Sequence, residues 1–191
     1  LSISQLRECA VRVKMVGATD VGRRRKSNQD SLYYDEPAGF GIVADGIGGR
    51  KGGEVASSMA VNGLRKAFMN CDRIRHEEIH PFLVSSVDKT NLEIVERGER
   101  EREIKGMGTT LNCLMFVGDK LHIAHVGDSR TYLYYKKHIF QLTLDHCVAD
   151  TVGARQRKNV LFVVAVNAAV THGCDMEFVA NEHQANESRT P

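Results

Sequence analysis

The chain has almost no net charge: 26 Lys and Arg against 24 Asp and Glu leave +2. Without a basic surplus there is no electrostatic reason to expect nucleic acid or an anionic membrane surface as a partner. No CxxC pair occurs, and the five cysteines (Cys9, Cys71, Cys113, Cys147, Cys174) are scattered and odd in number. That argues against a disulfide framework and predicts reduced thiols, hence a cytoplasmic protein. Long apolar runs are missing too. The longest, residues 160–170, contains Asn167 and is too short to span a bilayer. Residues 1–11 are too polar for a signal peptide. There is no internal repeat and no low-complexity segment. The glycine-rich stretch at residues 46–53 lacks the Lys-Ser/Thr ending of a P-loop, which argues against nucleotide binding.

What remains is the composition of an ordinary globular domain. Hydrophobic residues make up 42% and charged residues 26% of 191 residues, enough for one domain with a real core. We expect that domain over residues 1–179, followed by a polar tail at 180–191. Apolar and polar residues alternate at 11–15, predicting a half-buried strand. Residues 32–34 and 40–44 predict two more, the second buried on both faces. Helical spacing predicts a helix from 53 to about 70, with Val55, Met59, Leu64, Ala67 and Phe68 on its apolar face. A second is predicted from about 77 to 102, with a stripe of Ile79, Leu83, Val87, Ile94 and Val95. Strands at 111–117, 120–126, 131–135 and 138–142 follow, joined by tight turns at Gly118-Asp119 and Lys136-Lys137. Successive strands joined this tightly form an antiparallel meander, so the expected class is α+β. Residues 160–170 fit a buried strand or a helix equally well.

The organising stretch is Ile42-Val43-Ala44-Asp45-Gly46-Ile47-Gly48-Gly49-Arg50-Lys51-Gly52-Gly53-Glu54. It reads as an apolar strand, one carboxylate at its end, a glycine loop and a helix. Asp30 and Asp128 also sit beside strand ends. Three carboxylates meeting above one end of the sheets would repel one another unless they bound cations, and oxygen-rich ligation suits Mg²⁺ or Mn²⁺. Arg25, five residues before Asp30, could clamp a phosphate with its planar fork. The constellation suggests metal-assisted phosphoester hydrolysis. The competing explanation is that turn aspartates are structural. Other candidates weigh less. Cys113 lies inside an apolar strand and reads as core. Cys147 follows Asp145-His146, but nothing around it marks a reactive thiolate. His122 and His125 share a strand and read as packing or hydrogen-bonding residues.

Six motifs then carry a resemblance. They are Gly17-Ala18-Thr19-Asp20-Val21-Gly22, Arg25-Lys26-Ser27-Asn28-Gln29-Asp30, Val43-Ala44-Asp45-Gly46-Ile47-Gly48-Gly49, Gly106-Met107-Gly108-Thr109-Thr110, Val126-Gly127-Asp128-Ser129-Arg130 and Leu142-Thr143-Leu144-Asp145-His146. In this order they resemble the metal-dependent type 2C protein serine/threonine phosphatases in their bacterial form. The resemblance implies two antiparallel sheets packed as a sandwich with helices on both outer faces. It implies that Asp45 bridges two Mn²⁺ or Mg²⁺ ions, that the Gly46 carbonyl ligates one, and that Asp30 acts at the same centre. Arg25 matches the arginine that grips the substrate phosphate, and Asp128 the aspartate of a third, weaker metal site. The implied chemistry is direct attack of metal-activated water on phosphoserine or phosphothreonine, with an opposing Ser/Thr kinase as functional counterpart. The chain departs from the family after Asp145-His146. The flap segment is cut to residues 147–157, and the later Ser-Asp-Gly and Asp-Asn motifs do not occur. The expectation is therefore a sandwich incomplete at its C-terminal strands. The alternative is an inactive phosphatase-like module that binds phosphopeptides or a kinase.

Overall fold

Short alternating segments and tight turns build two antiparallel sheets, and two amphipathic helices cover one face of the larger. The structure, a computed structural model, describes residues 13–23, 27–47, 52–71, 76–117, 120–145, 160–164 and 177–181, the last two segments as backbone alone. In order they form β1 (Asp30–Asp35), β2 (Phe40–Asp45), α1 (Gly52–Met69), a 3₁₀ turn (His76–Glu78) and α2 (Ile79–Arg100). A second 3₁₀ turn (Arg102–Ile104), β3 (Leu111–Val117), β4 (Lys120–Val126), β5 (Arg130–Tyr135), β6 (His138–Gln141), β7 (Val160–Val164) and β8 (Glu177–Asn181) follow. One sheet runs β1-β2-β3-β4-β7 and the other β6-β5-β8. Every pairing is antiparallel, as the tight connections require for β1–β2, β3–β4 and β5–β6.

Alternation assigns each strand's faces. Phe40, Ile42 and Ala44 of β2, with Leu111, Cys113, Met115 and Val117 of β3, point into the core beneath the helices. Ala56, Ala60, Val61, Leu64 and Phe68 of α1 and Ile79, Leu83, Val87 and Ile94 of α2 close it. The rings of Phe40 and Phe68 stack 4.1 Å apart and within 2° of parallel, fixing α1 on the sheet. Each fully buried Leu, Ile or Phe here contributes about 1.5–3 kcal/mol. On the opposite face, Phe116, Leu121 and Ile123 form a smaller cluster with Val13, Met15, Leu114 and Leu142. Leu142 lies just beyond β6, so this cluster joins the second sheet to the first.

The α+β class and the meander are as expected, with instructive differences. Residues 13–15 show the expected alternation of burial but form no ladder; Val13 and Met15 pack, and the Met15 N–H donates to the Glu36 carboxylate (3.2 Å). Residues 11–12 and the 118–119 turn lie outside the described residues, although Val117 pairs with Lys120 across that turn. The α1 face is centred on Ala56, Ser57 and Ala60 rather than on Val55 and Met59. Small side chains let the helix approach the sheet closely, and the larger ones flank the contact. Val95 of α2 is exposed, because its position has turned past the buried arc of Val87, Thr90 and Ile94. The ambiguous segment begins as a strand, β7, paired along β4. At the other end of the chain, Ala180 and Asn181 pair with Thr131 and Arg130, because β5 offers backbone groups to bond on that side. Strands β7 and β8 pair along β4 and β5. Among the described residues no helix is long and apolar enough to cross a membrane.

Candidate metal centre

The antiparallel register of β1 and β2 sets Asp30 directly opposite Asp45 at the last rung of the ladder. Both side chains belong to the face turned away from α1, because Ala44 and Ser31 take the helix side. Residues directly opposite have Cβ atoms about 5 Å apart, and like charges so placed are destabilising. One oxygen of each carboxylate, Oδ1, is buried from solvent. Two adjacent carboxylates in that setting are stabilised by a shared cation.

The backbone around Asp45 is held firmly. Its N–H donates to Thr110 Oγ1 (3.1 Å), and its carbonyl accepts from the Thr110 N–H (2.8 Å) and Thr109 Oγ1 (2.8 Å). The Gly46 N–H donates to the Gln29 carbonyl (3.0 Å), tying the two aspartate-bearing strand ends together. Gly46 also forms an isolated bridge with Thr109. A Cβ on Gly46 would lie 2.2 Å from the Gly53 carbonyl oxygen, so only glycine lets the first turn of α1 close over this loop. Asp30 is oriented from its other side: its N–H donates to Asn28 Oδ1 (3.0 Å), and Asn28 Nδ2 donates to Thr19 Oγ1 (2.7 Å).

Asp128 sits in the turn between β4 and β5. Gly127 there has a φ of 102°, and a Cβ on it would meet the Thr110 side chain at 2.9 Å. The next hydroxyl, Ser129 Oγ, hydrogen-bonds Thr110 Oγ1 at 2.6 Å. The turn is thus docked beside the Asp45 strand end. Nevertheless, among the described residues no three His, Cys, Asp or Glu side chains approach closely enough to share a metal ion. The expected meeting of three carboxylates is replaced by a pair, Asp30 and Asp45, with Asp128 one loop away. The physical reason is register: Asp30 and Asp45 share a rung, whereas Asp128 follows β4, two strands from β2. The donor set fits Mn²⁺ or Mg²⁺, being two carboxylates and the adjacent Gly46 carbonyl, all hard oxygen. Arg25 and Cys147 lie outside the described residues.

The remaining candidates behave as packing residues. Cys113 is fully buried, and burial pushes its thiol well above its ordinary range, which makes it inert. His125 is buried, with Nδ1 2.6 Å from Asn112 Oδ1, its cross-strand partner. His122 is buried opposite Met115. The sequence alone assigned no role to Thr109, Thr110 or Ser129, although each lies in a motif quoted above. Nor did it show that Arg130 and Asp145 form a two-point ion pair (2.8 and 2.6 Å), which anchors residues 142–145 to the start of β5. Their positions as motif residues that are not ligands were the available signal.

With this geometry in place, comparison with known proteins is specific. Residues 20–157 match the family described as Protein phosphatase 2C. The serine/threonine phosphatase stp of Listeria monocytogenes is 40% identical over 132 residues, covering 67% of this chain and 52% of that protein. The crystal structure of serine/threonine phosphatase Stp1 from Staphylococcus aureus superposes with a TM-score of 0.63 and 26% identity, covering 85% of this chain and 69% of that one. The catalytic domain of serine/threonine protein phosphatase PstP, solved with two manganese ions, gives a TM-score of 0.61 and 26% identity, covering 86% and 71%. The chain belongs to the protein phosphatase 2C family. It spans about half the length of the curated relatives it matches.

Proposed function

We propose that this chain acts as a Mn²⁺- or Mg²⁺-dependent protein serine/threonine phosphatase, removing phosphate from phosphoserine and phosphothreonine. The observation that carries the proposal is the Asp30–Asp45 rung, with Gly46 next to it and the first turn of α1 packed closely against Gly46. Asp30, Asp45 and Gly46 would hold the metal, two ions by analogy with the manganese-bound relative, with Asp128 serving a third, weaker site. A divalent ion there supplies Lewis acidity, activating water and neutralising charge on the phosphoryl group. The chain's residues do the rest. Arg25 grips the phosphate through its planar, two-pronged donors. The buried Oδ1 atoms of Asp30 and Asp45 keep the centre partly shielded, where electrostatic interactions are stronger than in bulk water. The Thr109 and Thr110 bonds fix the Asp45 backbone, so little reorganisation is needed when charge develops. The proposed setting is cytoplasmic, opposite a Ser/Thr kinase acting on the same substrates.

Incubation with Mn²⁺ and a phosphothreonine peptide is expected to release phosphate, and chelation or Asp45→Asn to abolish release. Peptide binding that depends on Arg25 but never yields phosphate would instead assign the chain a non-catalytic binding role.

A further inference from the structure

We infer that Thr110 is a positioning residue whose hydroxyl, coupled to Ser129, ties the Asp45 strand end to the Asp128 turn and thereby sets Mn²⁺ affinity. The inference rests on the reading of Asp30 and Asp45 as metal-holding residues. Thr110 Oγ1 accepts from the Asp45 N–H (3.1 Å) and lies 2.6 Å from Ser129 Oγ. A hydroxyl that accepts through one lone pair keeps its proton and a second lone pair, so Thr110 Oγ1 can also bond Ser129 Oγ, with either hydroxyl donating. The Thr110 N–H closes back on the Asp45 carbonyl at 2.8 Å, so both main-chain polar groups of Asp45 are held by one residue. Thr110 and Ser129 are 8% and 3% exposed, so water cannot replace either partner without opening the site.

Packing supports the same coupling. Gly127, with its φ of 102°, lies against the Thr110 side chain so closely that a Cβ would contact Cγ2 at 2.9 Å. The segment carrying Asp128 therefore cannot shift without moving Thr110, and Thr110 cannot shift without moving the backbone of Asp45. A ligand's orientation is set by groups that hold it from behind, and losing such a group typically costs about 10- to 100-fold in metal affinity. Thr110 and Ser129 occupy that place for two segments at once.

The test is calorimetric titration of the full chain with Mn²⁺, comparing wild type, Thr110→Val, Thr110→Ser, Ser129→Ala and Thr110→Val/Ser129→Ala. Each variant is first checked for native circular dichroism. Thr110→Val keeps the volume and loses the hydroxyl, and is expected to bind Mn²⁺ about tenfold more weakly or worse. Thr110→Ser restores the hydroxyl and is expected to return affinity to within about threefold of wild type. Ser129→Ala weakens binding in the same direction, and the double variant adds little to Thr110→Val because the two hydroxyls act as one unit. Wild-type affinity in Thr110→Val, or equal loss in the Val and Ser variants, would overturn the inference. Should Thr110→Val not fold, unchanged affinity in Ser129→Ala overturns it instead. A wild-type chain that binds no Mn²⁺ contradicts the metal reading itself and takes this inference with it, an outcome distinct from the others.

Discussion

Asp45 is fixed through its main chain before its side chain meets any ligand. Three hydrogen bonds from Thr109 and Thr110 hold its N–H and carbonyl, and Asp30 faces it across the ladder. Asp45→Asn keeps the shape and removes one charge of the pair. It should relieve repulsion in the metal-free protein, leaving the unfolding midpoint in urea unchanged or raised, while abolishing Mn²⁺ binding. A midpoint that falls sharply would mean that Asp45 is a structural residue. Cys113 gives a second prediction at this scale. Burial keeps its thiol neutral, raising its pKa above the ordinary 9.0. The stability this contributes is present below that ordinary value and is lost as pH rises past it, because the unfolded thiol ionises and the folded one does not. Urea unfolding from about pH 8 to pH 10 should therefore show a shallower loss of stability in Cys113→Ala than in wild type. Site-resolved alkylation of the native protein should label half-buried Cys71 and spare Cys113. The strand-end positions of Asp30 and Asp45 and the burial of Cys113 were legible in the sequence, because a carboxylate closing an apolar strand and a thiol inside one carry local signatures. Thr110 was not, since its role depends on residues 65 positions before it and 19 after it.

The elements show where local patterns stop being sufficient. Hydropathy located both helices within a few residues, but it drew the α1 face around its large side chains. The buried centre is Ala56, Ser57 and Ala60, whose small size rather than hydrophobicity allows the close approach. The glycine loop before α1 follows the same rule. Gly46→Ala would force a Cβ against the Gly53 carbonyl carbon and oxygen at 2.3 and 2.2 Å. We expect a loss of about 1–3 kcal/mol in urea unfolding together with weakened Mn²⁺ binding, since α1 must withdraw from the Asp45 loop. Wild-type stability in Gly46→Ala would show that the loop relaxes freely. The second sheet ends at β6, whose four residues are all exposed, with Ile139 70% and Phe140 49% accessible. An exposed apolar edge invites association between copies. Ile139→Lys should therefore raise the concentration at which light scattering first appears without moving the unfolding midpoint. Strand β8 escaped the sequence reading for a related reason. Its place was decided by the open side of β5, a partner some fifty residues away that no local period encodes.

At the scale of the whole molecule, segments far apart in sequence meet at one end of the sheet: the Asp30–Asp45 rung, Thr109 and Thr110, and the Gly127–Ser129 turn. Residues 20–157, matching the protein phosphatase 2C family, contain the Asp30–Asp45 rung and the Asp128 turn. The family was legible from motif order and the α+β class from the succession of strands, helices and tight turns, whereas the placing of Asp30 opposite Asp45 emerged only from strand register. A cation held by the folded chain alone should stabilise it by mass action, by about 2.7 kcal/mol at a free Mn²⁺ concentration one hundred times Kd, and chelation should remove that gain. The most direct test of the central claim is calorimetric titration of Mn²⁺ into wild type and Asp45→Asn side by side. The account predicts saturable binding to wild type and none to Asp45→Asn; no binding to wild type, or equal binding to both, would contradict it.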